Sequence, residues 1–187
     1  MSVSVLRDAP GASSWIVDYG IPGRPCRADL ATVSSSLDDV LTEELRGAQV
    51  AMGCTAEELV LAALGRAVAR TIGEGMLSVD IVSGPAGTDV RRIGVPCVSR
   101  RGLSGPELLA AAYPTSDSAA HLTADVSVAY GQGLTVDQGG SPLAVHVEPG
   151  AAAMRLHWRF DTRGFDRCTI EELAEQFPLA LIELTSG

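Results

Sequence analysis

The sequence predicts an α/β two-layer sandwich, in which a mixed, mostly antiparallel sheet carries helices on one face. The first observation is the stretch CTAEELVLAALGRAVARTIGEG (54–75), whose apolar residues recur at helical spacing. Thr55 and Glu58 form a capping box at its start, and Gly73 can end it. The second observation is a pair of alternating strands, 143–148 and 154–160, joined by Glu148-Pro149-Gly150. A capped apolar helix and a hairpin with one buried side together predict helices packed on a sheet.

The remaining elements follow from local pattern and turn residues. Residues 1–28 are rich in Pro, Gly and Arg and form an irregular lead-in, and 29–187 form a single lobe. In chain order we predict a strand at 30–35, a helix at 37–49 capped by Ser36, the long helix, a strand at 76–82, a loop at 83–92, a strand at 93–98, a helix at 104–112, a strand at 122–130, a loop at 131–142, the hairpin, and a last helix at 170–183. Capping boxes at Ser104/Glu107 and Thr169/Glu172 mark the two later helix starts.

Composition excludes several classes of function. The 187 residues carry a net charge of −9 and only 4% aromatic residues, which disfavours nucleic acid as a partner. No apolar run is long enough to cross a membrane, and MSVSVLRDAP does not have the pattern of a signal peptide, so we expect a cytoplasmic location. The four cysteines lack any CxxC spacing, so we expect no metal site. GPAG (84–87) and GQG (131–133) are too short to cradle a phosphate, and we expect no cofactor. Cys54 and Cys168 each precede a predicted helix start. Each can be interpreted either as a thiol with a packing role or as a reactive thiol.

The chemistry-bearing residues best placed by pattern are two histidines. Alternation along 154–160 puts Met154, Leu156, Trp158 and Phe160 on one face and Arg155, His157 and Arg159 on the other. His146, on the facing strand, shares the polar face with His157, so the two rings can approach each other. They are either two histidines on a half-solvated sheet face or a pair that contacts substrate, with His146 and His157 as weak catalytic candidates. No carboxylate or cysteine is positioned by the pattern to complete a metal site.

The order of segments resembles the C-terminal half of the condensation and epimerization domains of nonribosomal peptide synthetases, which have a chloramphenicol-acetyltransferase-like fold. TAEELVLAALGRAVARTIGEG resembles the long helix of that family, and VSVAYGQG is similar to its FNYLGQ strand. MLSVDIVSGPAGTDVRRIGVPCVS is similar to the segment in which epimerization domains carry EGHGR followed by TVGWFT. LAVHVEPGAAAMRLHWRFDTRGFDRCTIEELAEQFPLALIEL resembles the closing hairpin and helix. The resemblance runs from near Val33 to the C-terminus and implies one lobe of the fold.

The departures from the family pattern bear on activity. The HHxxxDG motif that supplies the family's catalytic histidine belongs to the N-terminal half, which these 187 residues lack. SGPAG replaces the EGHGR stretch, Ala129 stands where the family strand has Asn, and Pro96-Cys97 replaces Trp-Phe. The resemblance implies that substrate-channel positions fall at Ser83, Arg91, Ala129, Tyr130 and Gln132.

Two functions from different classes are consistent with these residues. The first is an auxiliary lobe, not catalytic alone, which pairs with a missing N-terminal-half lobe or with itself, and which has a phosphopantetheinyl carrier protein as a further partner. The second is an acyl or aminoacyl transferase or an epimerase-like enzyme, whose channel forms at a homodimer interface and whose base is His146 or His157. A third possibility is that the chain is a decayed gene remnant or a separate fragment of a split synthetase. The intact helix caps favour a chain that still folds.

Overall fold

In a computed structural model, three helices lie on one face of a seven-stranded mixed sheet. The model describes residues 14–20, 23–84, 87–99, 107, 113–114, 123–131, 140–150 and 153–185, and the fold is given for these parts. The helices are α1 (Asp39–Met52), α2 (Ala56–Thr71) and α3 (Arg167–Thr185), and a short 3-10 turn, Arg27–Asp29, precedes the first strand. The strands are β1 (Leu30–Leu37), β2 (Gly75–Ser83), β3 (Asp89–Cys97), β4 (Tyr113–Pro114), β5 (Val126–Tyr130), β6 (Leu143–Glu148) and β7 (Met154–Asp161).

The sheet has the order β1-β7-β6-β5-β2-β3-β4. The β5 strand pairs in parallel with both β2 and β6, and every other neighbouring pair is antiparallel. The predicted fold class, a mixed and mostly antiparallel sheet with helices on one face, is therefore confirmed. The predicted hairpin is confirmed as well, since β6 and β7 pair in register from Leu143↔Phe160 to Glu148↔Arg155.

The core lies between the sheet and the helices. The α2 helix is buried on almost every side, because α1 and α3 flank it and the sheet lies beneath it. The α3 helix brings Phe177 against Trp158 of β7 in an edge-to-face contact, with ring centroids 5.7 Å apart. Each large apolar side chain buried in this layer contributes about 1.5–3 kcal/mol to folding. Glu183 of α3 also lies 3.4 Å from Arg66 and forms an ion pair with Arg70, which joins the two helices.

Local sequence signals predicted the ends of α2 correctly, but they misplaced the start of α1. Thr55 and Glu58 form the predicted capping box of α2, and Gly73 follows the helix with a φ of 147°. The predicted cap of α1 at Ser36 is wrong, because β1 continues to Leu37 and Asp38 accepts the hydrogen bond from the Leu41 amide. Pairing with β7 holds residues 36 and 37 in the strand, which a propensity pattern cannot anticipate.

Two further expectations are corrected by the structure, one at a helix start and one in a loop. The α3 helix begins at Arg167, so Thr169 lies inside its first turn and does not cap it. The predicted loop at 83–92 is shorter, because β2 continues to Ser83 and β3 begins at Asp89. The residues added to the two strands are held by the pairing of β2 with β3, for example Ser83↔Asp89 and Ile81↔Arg91. The predicted helix at 104–112 lies largely outside the described residues.

The lead-in is tied to the lobe in the part that is described. Ile16 is only 1% exposed and belongs to the core. The indole nitrogen of Trp15 donates a hydrogen bond to the Met76 carbonyl at 3.0 Å, and the Asp18 amide donates to the Gly164 carbonyl at 2.8 Å. Among the described residues, no helix is long and apolar enough to cross a membrane.

Candidate functional site

The candidate site lies on the face of the sheet opposite the helices, which we call the second face. Strand alternation places Arg155, His157 and Arg159 of β7 there, because their neighbours Leu156, Trp158 and Phe160 face the core. The paired strands continue the same face. Residues of the second face are Thr32, Ser34 and Ser36 on β1, Ala144, His146 and Glu148 on β6, Ser127 and Ala129 on β5, and Ser78, Asp80 and Val82 on β2.

The two predicted histidines are direct neighbours on this face. His146 and His157 are paired in register, and their ring centroids are 6.1 Å apart with an interplanar angle of 35°. The expectation that they share the polar face and approach each other is confirmed. Glu148 lies between them, with one carboxylate oxygen 3.7 Å from His146 Nδ1 and the other 3.7 Å from His157 Nε2. These separations are too long for hydrogen bonds.

One hydrogen bond on each histidine fixes the orientation of its ring. His146 Nε2 lies 2.8 Å from the Gly131 carbonyl oxygen, and because a carbonyl only accepts, His146 Nε2 carries the hydrogen. The other nitrogen of His146, Nδ1, then faces Glu148. On the other side, His157 Nδ1 is 3.0 Å from Ser34 Oγ. The result is a row of four side chains, Ser34, His157, Glu148 and His146, which we call the histidine row.

Exposure distinguishes the two rings. The side chain of His146 is 16% exposed, whereas those of His157 and Glu148 are each 36% exposed. His157 is therefore the more accessible ring, and it is also the one whose neighbour carries a hydroxyl. Ser34 and Glu148 were not predicted as site residues. Their alternation on the polar face was readable, but the β1–β7 register that brings Ser34 to His157 joins residues 123 positions apart.

A buried ion pair occupies the second face on the β2–β3 side. Arg92 donates to Asp80 through two nitrogens, at 2.6 and 2.8 Å, and Asp80 is only 5% exposed. The hydrogen bonds with Asp80 raise the pKa of the Arg92 guanidinium, and burial opposes them. Two parallel bonds in this geometry fix the orientation of both side chains. The sequence placed these residues on separate elements and gave no signal for their pairing.

Between the histidine row and the ion pair lies a small apolar patch. Val82, Ala129 and Ala144 pack together there, with exposures of 8%, 0% and 6%. Ala129 is the residue at which the resemblance placed a channel position, and its register partner on β6 is His146. Ala129 thus lies beside the histidine row, on the same face.

Three other proposed channel residues, Ser83, Arg91 and Tyr130, lie on the helix side of the sheet. Ser83 ends β2, and Arg91 on β3 is 3.5 Å from Glu57 in the first turn of α2. Tyr130 is half-buried, and burial raises the pKa of its phenol. Alternation separates Tyr130 from Ala129, so the structure does not bring the proposed channel residues to one surface. Gln132 lies outside the described residues.

The cysteines differ in their surroundings. Burial raises the pKa of Cys54, which opposes formation of a reactive thiolate at the start of α2. Cys97 is fully buried, and burial raises its pKa to about 12. These two thiols therefore fit the packing interpretation, while Cys26 and Cys168 are exposed. Within the described ranges, no group of three His, Cys, Asp or Glu residues is arranged to hold a metal ion.

Comparison with solved structures identifies the architecture. The chain is similar to the epimerization domain from the third module of tyrocidine synthetase B, with 15% sequence identity and a TM-score of 0.67 over 91% of this chain and 51% of that one. It is also similar to the X-domain from teicoplanin biosynthesis, at 16% identity and a TM-score of 0.70 over 91% of this chain and 50% of that one. The condensation domain of the monacolin K polyketide synthase MokA matches over 100% of this chain and 51% of its own length, at 11% identity and a TM-score of 0.64.

These matches show the fold, and they show how much of it is present. The chain spans about half the length of the epimerization domain, the X-domain and the condensation domain it resembles. No protein-family model and no curated protein matches the sequence. The fold is therefore that of one half of a condensation or epimerization domain, as the order of sequence segments implied.

Proposed function

We propose that this chain serves as an auxiliary, non-catalytic lobe in the biosynthesis of nonribosomal peptides or related carrier-protein-dependent products. The observation that carries the proposal is the match of 91% of the chain to about half of an epimerization domain and of an X-domain. In this role the lobe pairs with a lobe that carries the HHxxxDG motif, or with a second copy of itself. We place it in the cytoplasm.

The residues of the second face support a role in association rather than in chemistry. Ala129 stands where the family strand has Asn, and the EGHGR stretch is reduced to SGPAG. Asp80 is engaged by Arg92 and the small apolar patch is buried, so neither supplies a reacting group. An X-domain has been solved in complex with OxyB, so a domain of this architecture can bind a separate protein. A phosphopantetheinyl carrier protein is a further partner of this role.

Exposed apolar side chains provide the driving force for pairing. Met76 near the start of β2 and Val90 near the start of β3 are 50% and 59% exposed, and Val50 on α1 is 87% exposed. Burial of such surface stabilises an association by about 25 cal/mol per Å². An unpaired lobe should therefore self-associate or offer apolar surface to a dye.

The test combines light scattering with binding of 8-anilinonaphthalene-1-sulfonate to the purified 187-residue chain. We expect either a mass above that of a monomer or a monomer whose surface increases the dye fluorescence. A monomer that leaves the dye fluorescence unchanged would contradict the pairing function.

The second candidate function is acyl or aminoacyl transfer in a channel formed by two copies of the chain. The histidine row is the observation that favours it, because His157 contacts a hydroxyl on one nitrogen and faces a carboxylate with the other. A general base must lie within about 2.6–3.2 Å of the proton that it removes. His157 is the better candidate of the two, since the Gly131 carbonyl already engages His146 Nε2.

A double variant separates the two functions. Under the transferase hypothesis, H146A/H157A loses transfer of an acyl group from a loaded carrier protein, while R155A, on the same face of β7, retains it. Under the auxiliary-lobe proposal, the wild-type chain alone shows no transfer. Full activity in the double variant would exclude both histidines as the base.

A further inference from the structure

One edge of the sheet is long and has no strand beside it among the described residues. The β1 strand ends the sheet order, and its eight residues pair with β7 on one side only. Each strand residue carries an N–H and a C=O, and half of these groups along an edge strand point away from its neighbour. The outward edge of β1 therefore presents a row of donors and acceptors that another strand can use.

The two edges of the sheet differ in the way they limit such pairing. At the opposite edge the structure describes two residues of β4, and one of them, Pro114, has no N–H to donate. The β1 strand has the sequence LATVSSSL, without a charge, a proline or a glycine. Proteins usually block open edges with short strands, prolines or charges, and β1 has none of these.

Charge selects a second copy of the chain as the occupant. The chain carries a net charge of −9, so long-range repulsion opposes contact between two identical molecules. An uncharged strand is a place where two copies can meet without like-charge repulsion. Two identical strands pair antiparallel about a two-fold axis, which makes the contact self-complementary and closed. Thr32, Ser34 and Ser36 are exposed on one face of this strand, where hydroxyl pairs across strands are favourable.

We infer that β1 pairs antiparallel with β1 of a second copy, forming a homodimer whose sheet is continuous across the two-fold axis. This inference rests on the proposed pairing function and names the surface that carries it. Ser34 lies near the middle of β1, so the two histidine rows meet the dimer axis at their Ser34 ends. Contact along a single strand is small, and the dimer should therefore form in a concentration-dependent way.

Introducing charge at two outward side chains tests the inference. Thr32 and Ser36 lie two residues on either side of Ser34, so their substitution leaves the hydrogen bond of Ser34 to His157 in place. We expect T32K/S36K to be monomeric, because antiparallel pairing brings its lysines opposite those of the second copy. The variant T32E/S36E should be monomeric for the same reason. An equimolar mixture should regain dimer mass in light scattering, because Lys then faces Glu.

Matched controls keep the outcome interpretable. The exchange T32S/S36T preserves an uncharged hydroxyl surface and should leave the dimer intact, and circular dichroism checks that each variant is folded. A wild-type chain that is monomeric at all concentrations, or a T32K/S36K variant that remains dimeric, would overturn the inference. Dye binding separates this failure from failure of the proposed function: a wild-type monomer that binds the dye overturns only β1 pairing, whereas one that does not bind it overturns both.

Discussion

Strand β7 presents Trp158 to the helices and His157 to the second face, and different interactions hold these adjacent side chains. Trp158 is fully buried, packs edge-to-face on Phe177 and donates a hydrogen bond from its indole nitrogen to Ser35 at 3.0 Å. His157 is 36% exposed and is held by one hydrogen bond, to Ser34, with a Glu148 oxygen 3.7 Å from its other ring nitrogen. The comparison indicates that the helix face of β7 stabilises the fold, while its second face keeps polar side chains partly exposed.

The largest difference should appear in a pair of alanine variants on β7. Trp158→Ala removes a large core side chain and should lower the free energy of unfolding by about 3–5 kcal/mol. His157→Ala removes a half-exposed side chain and should change it by no more than about 0.5 kcal/mol. Urea denaturation followed by circular dichroism measures both. Equal losses would mean that the second face is part of the folding core.

A smaller effect tests how closely the helix layer is packed on the sheet. A methyl group at Gly65 of α2 would lie 2.8 Å from the Pro96 carbonyl oxygen and 3.0 Å from a Val95 methyl group. Because the nearest atom belongs to the backbone, Gly65→Ala should lower the free energy of unfolding by about 1–3 kcal/mol. The matched control is Gly47→Ala on α1, where nothing lies within 4 Å. That change should stabilise the protein by about 0.5–1 kcal/mol, and a stabilising Gly65→Ala would show that the two layers are loosely packed.

Thiol reactivity gives the finest distinction between the covered and exposed parts of the molecule. At pH 8, iodoacetamide should modify Cys26 and Cys168 and leave Cys97 unmodified until the protein unfolds. Burial raises the pKa of Cys97 from 9.0 to about 12, so the folded chain keeps a proton that the unfolded chain releases. Its contribution to stability is therefore complete below pH 9 and is lost as the pH rises toward about 12. Modification of folded Cys97 at the rate of Cys26 would contradict this account.

Local sequence signals predicted much of the fold. The spacing of apolar residues in α2 and the capping box of Thr55 identified the central helix, and alternation along β7 identified its buried face. Features set by pairing between distant strands were missed. The extension of β1 past Ser36 depends on β7, and the extension of β3 back to Asp89 depends on β2.

The residues of the candidate site also fall into those that local sequence predicts and those that it does not. The approach of His146 to His157 was predictable, because hairpin partners are close in sequence and their alternation is regular. The contacts of Ser34 and of the Asp80–Arg92 pair depend on which strands lie side by side. Neither the spacing of apolar residues nor the strand propensity of single residues encodes that arrangement. The proposed channel positions came from resemblance alone, and Tyr130 and Ala129 fall on opposite faces because consecutive residues of a strand alternate.

Hydrogen–deuterium exchange at two protein concentrations tests the central claim most directly, because it shows which surface is used for association. At a concentration that favours the dimer, we predict slower exchange of β1 amides (Leu30–Leu37) than in the dilute protein. The exchange of α2 amides (Ala56–Thr71) should be the same in both samples, since α2 is already buried within the lobe. Slower exchange in α2, or unchanged exchange in β1, would contradict the account.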